Sequence, residues 1–220
     1  MRVVNEKRSV GGRSEYDRVP VLLPLPTPLQ DFFEPDWRAP LDAARALQSV
    51  PEAATISGMF LAPLAGEALK HGKSLPSARD RYLPFRFYPL REHVSLMLEA
   101  CQVLFPGRPV RLSLRKLGRG APAALLTSTL GRAGMGAAQG IHDITQAMAK
   151  AYAINVPGCQ VSVVDASSKH CIVQARKLPY FVDCHHVGAF EGVLRYAGVE
   201  GDVRVRTLGM DQADYLCSWR

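Results

Sequence analysis

Thiol and imidazole side chains gather at two places late in the chain, Cys184-His185-His186 and, a little earlier, His170-Cys171. Thiolate and imidazole together are the donor set that Zn²⁺ takes in tetrahedral sites. A hairpin could carry His170 or Cys171 towards Cys184, so Cys171, Cys184, His185 and His186 form the candidate metal set. A helix beginning here would also lower the Cys184 thiol pKa. The spacing opposes a metal: consecutive helical residues point in different directions, and the chain has no Cys-x-x-Cys pair. The expectation is a structural helix start with Asp183 as its cap, and no metal.

The same geometry weakens covalent catalysis. Neither Cys184 beside its histidines nor Asp143 beside His142 makes the hydrogen bond that a nucleophile and its base require, so no catalytic residue is expected. The run Gly131-Arg-Ala-Gly134-Met-Gly136-Ala-Ala-Gln139-Gly140 has the look of a phosphate loop. Gln139 stands where a third glycine is needed, the run follows a helix, and it does not end in Gly-Lys-Ser. It reads as a helix-to-helix connection. His93 opens the most regular helix and is the candidate cofactor ligand, as a buried axial imidazole. A histidine bonded to a neighbour among Arg86, Arg91 and Glu92 is the commoner arrangement. Glu191 and Arg195, four apart, read as a surface pair.

These residues need a scaffold, and 220 residues with 47% hydrophobic and 21% charged side chains are enough for one domain with a sizeable core. No apolar run is long enough to span a membrane, and the N-terminus lacks the apolar core of a secretory signal. Five cysteines without regular spacing read as reduced thiols, which points to the cytoplasm. The net charge of +7 is concentrated in Arg2, Lys7, Arg8, Arg13 and Arg18, and in Arg111, Arg115, Lys116 and Arg119. Neither group is interleaved with aromatics as single-strand binding surfaces are. Both read as solvated basic faces, and nucleic acid is not favoured as a partner.

Residues 1–18 read as a mobile basic tail. Residues 19–40 hold six prolines together with Leu22, Leu23, Leu25, Leu29, Phe32, Phe33 and Trp37. That excludes helix and central strand and gives an apolar arm that docks in a groove of this chain or of a second copy. Short helices are expected over 40–48 and 58–71, with Thr55 or Ser57 capping the second and Leu69 among its inward residues. A strong helix spans 90–105, with Val94, Met97, Leu98, Cys101, Leu104 and Phe105 on one stripe. Pro109 opens a further helix, which Gly118 and Gly120 weaken before Pro122 restarts it. Another runs from Ile141 to Tyr152. From Cys159 onward the pattern is strand, strand, helix, strand, strand, with Val187, Phe190 and Leu194 inward and Gly188 and Gly192 sharing a face for close backbone approach.

The segments FFEPDW (32–37), GMFLAPL (58–64), RYLPFRFYPLREH (81–93), KLGR (116–119) and VGAFEGVLRYAGVEG (187–201), with the Trp219 terminus, resemble a myxobacterial paralogous family of unknown function. The C-terminal unit is distantly similar to a superfamily holding 4-vinyl-reductase-type sensors, haem nitric-oxide-binding domains and TRAPP subunits. The resemblance implies helices over an antiparallel sheet, and ligand sensing or assembly. Two departures matter. The haem-binding relatives use a Tyr-x-Ser-x-Arg element, where Tyr180-Phe-Val-Asp-Cys184 has neither Ser nor Arg. The zinc-holding relatives use a Glu and cysteines near the last hairpin, where Thr207, Leu208 and Met210 stand and only Cys217 could correspond.

The expected fold is α+β: N-terminal helices packed on a four-stranded, mostly antiparallel sheet, with residues 41–220 as one domain (helical half 41–155, ββαββ unit 156–220). The expected function is a non-enzymatic interaction or regulatory module that assembles with itself or a protein partner through its N-terminal arm and helical face, and that has room for a small apolar ligand. The alternative is a small-ligand, haem or zinc sensor; an unrecognised enzyme comes third. No cofactor is assigned. Phe85, Phe87, Tyr88, Met97, Met148, Tyr152 and Phe190 are the expected pocket residues, beside His93.

Overall fold

The computed structural model describes residues 29–127 and 140–220. The basic tail, Leu22, Leu23, Leu25 and the glycine-rich run through Gln139 lie outside the described residues. Six α-helices and two antiparallel sheets are described: α1 Ala43–Ser49, β1 Thr55–Ser57, α2 Gly58–Lys70, β2 Phe87–Pro89, α3 Leu90–Leu104, α4 Val110–Leu126, α5 Ile141–Asn155, β3 Gln160–Ala166, β4 His170–Arg176, α6 His185–Tyr196, β5 Gly201–Gly209 and β6 Gln212–Trp219. The large sheet has the order β3-β4-β6-β5, antiparallel throughout, so the α+β expectation holds. β1 and β2 pair as a short two-stranded ladder leading into α2 and α3.

Local sequence explains most element ends. The Asp42 carboxylate accepts from the Arg45 N–H to cap α1, and the Ser57 hydroxyl accepts from the Met59 N–H to cap α2. The stripe of α3 is inward as expected, with Val94, Met97 and Cys101 buried. Leu69 is not inward: it is exposed near the end of α2. α4 is one unbroken helix through Gly118, Gly120 and Pro122 rather than two. Packing overrides the local preference there, because the Pro122 ring lies against Gly192 of α6.

α4 and α6 touch backbone to backbone. A Cβ on Gly188 would stand 2.0 Å from the Arg115 carbonyl oxygen, one on Gly118 2.0 Å from that of His185, and one on Gly192 2.5 Å from that of Arg119. The contact is fastened by charge. Glu191 receives hydrogen bonds from both Arg115 and Arg119, and Arg111 donates to Asp183 at 2.5 Å. Burial pushes the Glu191 carboxyl up, but the two arginines outweigh it and hold the group below its ordinary range. Three of the four α4 cations are therefore committed to an interhelical clasp, not to a solvated basic face. Glu191 likewise pairs across to α4 rather than with Arg195.

Val187, Phe190 and Leu194 of α6 are buried, with the Phe190 ring 4.7 Å from that of Tyr215 on β6. On another part of the sheet a second cluster forms from Phe32, Ile172 and Leu216. Phe33 exchanges backbone hydrogen bonds with Val205 on the edge strand β5. The Arg115 guanidinium sits 3.9 Å over the Trp37 ring. The described part of the arm thus packs on its own chain. Phe32 is buried there, while Leu29 and Phe33 keep about half their surface exposed.

The glycine contact makes a direct prediction. Gly188→Ala should cost about 1–3 kcal/mol or more in urea denaturation, the range for forced overpacking. Gly66→Ala on α2, where a Cβ meets nothing within 4 Å, should gain up to about 1 kcal/mol from helix propensity.

Candidate functional site

α2 and α3 run side by side in the same direction. Near their starts the Phe60 and His93 rings are 6.3 Å apart. Beyond their far ends Lys73 donates to the Val103 carbonyl at 2.6 Å. α4 closes the third side, with the small residues Gly120, Ala121 and Ala124 facing the gap, and the start of α6 supplies His185. The cavity between them is partly open to solvent and has a volume of about 310 Å³. Its α2 lining runs from Phe60 to His71, roughly 16 Å at about 1.5 Å of rise per residue. Pro63, Leu64, Met97, Leu104, Phe105 and Leu117 make the walls apolar. Charge is confined to one end, where Glu67, His71 and Lys116 lie: His71 is 3.3 Å from Glu67, and the Lys116 ammonium lies 5.4 Å over the Phe105 ring.

The other end is lined by two buried histidines. His93 is 3% and His185 4% exposed. Among the described residues neither His93 ring nitrogen has a hydrogen-bond partner, nor does His185 Nδ1. Burial, reinforced by the neighbouring His185, pulls the His93 pKa down to about 3. Burial pulls His185 down to about 4. Both rings are neutral near pH 7, each with one N–H to donate and one lone pair to accept.

Behind them the rings continue inward. Tyr180 meets His93 at 5.8 Å, His185 at 6.1 Å and His186 at 4.7 Å. Tyr152 meets Phe60 at 5.6 Å and His186 at 5.5 Å. The hydroxyls of Tyr152 and Tyr180 also lack a partner among the described residues. His186 Nδ1 lies 3.3 Å from the Phe181 carbonyl. A carbonyl only accepts, so that nitrogen carries the proton and Nε2 keeps its lone pair. The same carbonyl accepts from the backbone N–H groups of Cys184 and His186, and Phe181 itself has φ +46°, a left-handed backbone unusual for a bulky residue. This tight loop sets the start of α6 against the cavity.

The expected site residues divide accordingly. His93 and Met97 line the cavity, and Tyr152 stands just behind Phe60. Phe85 and Phe87 are exposed and do not line it. Tyr88 packs on Tyr82 at 5.1 Å, and its hydroxyl accepts from the Leu83 N–H. Met148 and Phe190 belong to the core. None of the charged neighbours reaches His93: Glu92 takes Arg79 and Tyr82, Arg91 donates to the Val50 carbonyl, and Arg86 lies over Tyr88.

The metal candidates do not converge. Cys171 faces Cys217 across the sheet. Burial raises the Cys184 thiol, the reverse of the lowering expected from a helix start. Asp183 binds Arg111 rather than capping α6, whose cap position is Cys184 with no side-chain hydrogen bond. Among the described residues no three His, Cys, Asp or Glu side chains stand together as a metal site. Gly72-Lys73-Ser74, which follows α2, is no phosphate loop either, since Lys73 is spent on Val103.

Sequence reasoning missed His185 as a cavity residue, and with it Phe60, Gly120, Ala121 and Ala124. The one available signal was the cluster of small residues in a helix otherwise rich in leucine and arginine.

Neutral buried histidines fix the sign of a pH effect. Their folded pKa values lie below the ordinary value near 6.5, so the unfolded chain gains protons that the folded chain refuses. Stability is full above about pH 6.5 and falls as pH drops towards 5, by up to about 1.4 kcal/mol per pH unit for each histidine. His93→Phe should remove one proton from the slope of unfolding free energy against pH in that window.

Comparison with curated proteins found no match. Among solved structures the chain is similar to the Fe(II) unliganded H-NOX protein from K. algicida, at 6% identity and a TM-score of 0.58, over 75% of this chain and 97% of that one. It is also similar to the Fe(II)NO state of an H-NOX protein from S. oneidensis (11%, 0.55, 75% and 99%) and to a point mutant of the T. tengcongensis H-NOX (12%, 0.51, 81% and 95%). At such identities the likeness shows the fold alone. Residues 49–220 match a family described as protein of unknown function (DUF2378), and the chain belongs to that family.

Proposed function

We propose that this chain is a ligand-binding sensor domain which holds a small organic molecule between α2, α3, α4 and the start of α6. One observation carries the reading: a cavity with mostly apolar walls lies among four helices, with charged residues at one end and the buried, neutral His93 and His185 at the other. A cavity of 310 Å³ falls within the range of small-molecule sites, about 300–1,000 Å³. A molecule seated there touches four helices at once, so occupancy changes how the helical half sits against α6.

The structural neighbours are described in terms of Fe(II) and, in one case, of heme distortion, so haem is the first ligand to test against these residues. A neutral buried imidazole is a suitable axial ligand, and His93 or His185 would supply it. The rest does not fit. Two propionates need cations at the rim, and among the described residues Lys116 is the one Lys or Arg lining the cavity, at the same end as Glu67. Arg115 and Arg119 are bound to Glu191, and Arg111 to Asp183. The residues therefore favour a smaller organic ligand over haem, and the scattered thiols and imidazoles do not favour zinc.

Assembly through the arm receives less support than ligand binding, because Phe32, Phe33 and Trp37 already have partners within the chain.

The neutral fluorophore phenylnaphthylamine should bind the purified protein at one site and raise its unfolding midpoint, as any ligand of the folded state does. Ala124→Phe fills the cavity and should weaken binding at least about tenfold while leaving the circular dichroism spectrum unchanged. Equal affinity in a folded Ala124→Phe protein would overturn the reading. Titration with hemin should give no stoichiometric Soret band.

A further inference from the structure

We infer that the turn between α2 and α3 seats on an anionic phospholipid surface, with Leu83, Phe85 and Phe87 entering the headgroup layer and Arg81 and Arg86 meeting lipid phosphates. The inference is independent of the cavity and its ligand.

Exposure points to this segment. Leu83 is 42%, Phe85 71% and Phe87 46% exposed, three large apolar side chains within five residues. Elsewhere exposed apolar residues such as Leu69 and Ile154 come singly along the chain, which is ordinary for a protein surface. A cluster is different, since adjoining exposed apolar side chains mark contact surfaces.

The turn is built to present these residues. The Arg86 N–H donates to the Leu83 carbonyl at 3.1 Å, closing a turn with Pro84 and Phe85 at its corner. Proline's fixed φ suits the first corner position, and Phe85 follows at the tip. The Leu83 N–H donates to the Tyr88 hydroxyl at 2.9 Å, the Ser57 hydroxyl to the Pro84 carbonyl at 2.5 Å, and the Gly58 N–H to the Arg86 carbonyl at 2.9 Å. A Cβ on Gly58 would stand 2.2 Å from the Leu83 carbonyl oxygen, so the turn lies hard against the start of α2. Tyr82 and Tyr88 are buried beneath it. The rings at the tip are thus held out by a braced backbone whose polar groups are largely paired, as a segment entering a water-poor layer requires.

Charge selects an anionic surface. Arg79 is matched by Glu92 at 2.6 Å. Apart from that pair, residues 79–92 carry Arg81, Arg86 and Arg91 against Asp80 alone, a net charge of +2. Arg81 and Arg86 are exposed and form no ion pair among the described residues. Apolar side chains flanked by arginines match the boundary between acyl chains and anionic headgroups. A peptide partner would need a groove, whereas Phe85 stands at the tip of a turn. A base-stacking surface needs ring faces set along a cation-lined groove, and Leu83 offers no ring.

The test mixes the full chain with vesicles of equal parts phosphatidylcholine and phosphatidylserine, and with phosphatidylcholine alone, and reads bound protein by co-sedimentation. Binding should require phosphatidylserine and weaken as salt is raised. Phe85→Ser should weaken it at least about tenfold, the scale of withdrawing one large apolar side chain. Arg81→Gln combined with Arg86→Gln should do so by about tenfold or more. Ile154→Ser on α5, equally exposed, should change nothing. In the Phe85→Trp variant, acyl chains brominated in the anionic vesicles should quench emission beyond any quenching of the wild type. That readout decides the matter if Phe85→Ser fails to fold by circular dichroism.

Vesicle binding indifferent to both turn changes, as the basic residues near the N-terminus alone would give, would overturn the inference. So would equal binding to phosphatidylcholine alone, or no binding to either vesicle. Turn variants that lose affinity for oligothymidylate or polyglutamate, and not for vesicles, would assign the turn to nucleic acid or to an acidic chain and overturn the lipid.

Discussion

The backbone contact between α4 and α6 is the constraint on which the rest depends. Gly118, Gly188 and Gly192 leave no room for a Cβ, so the two helices meet closer than ordinary side-chain packing permits. The charged clasp of Glu191 with Arg115 and Arg119, and of Asp183 with Arg111, fixes their register. The geometry of the cavity is set by that register. It turns Gly120, Ala121 and Ala124 towards α2 and α3, and it holds His185 at the inner end of the gap. Small residues along α4 thus serve two purposes, letting α6 approach on one side and leaving a cavity on the other.

The distribution of charge follows from desolvation. Arginines and carboxylates that lie partly buried are matched one against another, as in Arg176 and Arg206 around the buried Asp214. The histidines by the cavity have no such partners among the described residues, and they avoid the cost of buried charge by staying neutral. The inner end of the cavity therefore carries no charge at neutral pH. That distinguishes it from the catalytic and metal sites to which histidine clusters usually point, and it accounts for a cluster of His and Tyr rings with neither a nucleophile nor a metal set among the described residues.

The structural relatives share the arrangement of helices over an antiparallel sheet, and a common fold leaves the site open to different chemistry. In this chain the cations that could have met an anionic cofactor are used to join α4 to α6. One set of arginines cannot both clasp Glu191 and hold a second anion.

The periodicity of 90–105, the punctuation by Pro106-Gly107, and the alternating strands after Cys159 were enough to specify the α+β class, because these signals are local and the burial pattern repeats at the period of the element. Gly188 and Gly192 likewise announced a close helix contact. The partner of that contact was not legible, since nothing local in KLGR says that Gly118 will face His185. The continuity of α4 through Pro122 was hidden for the same reason: the packing that sustains it comes from another helix. His93 could be singled out from its place just before the stripe of the most regular helix, whereas its lack of a partner could not, because Arg86, Arg91 and Glu92 are near in sequence and turn elsewhere in space. The chain alone determined most of the helices and the four strands after Cys159; the pairing of β1 with β2, the continuity of α4, burial, charge pairing and the neutral state of the histidines were decided by tertiary structure, because each depends on what distant residues exclude or supply.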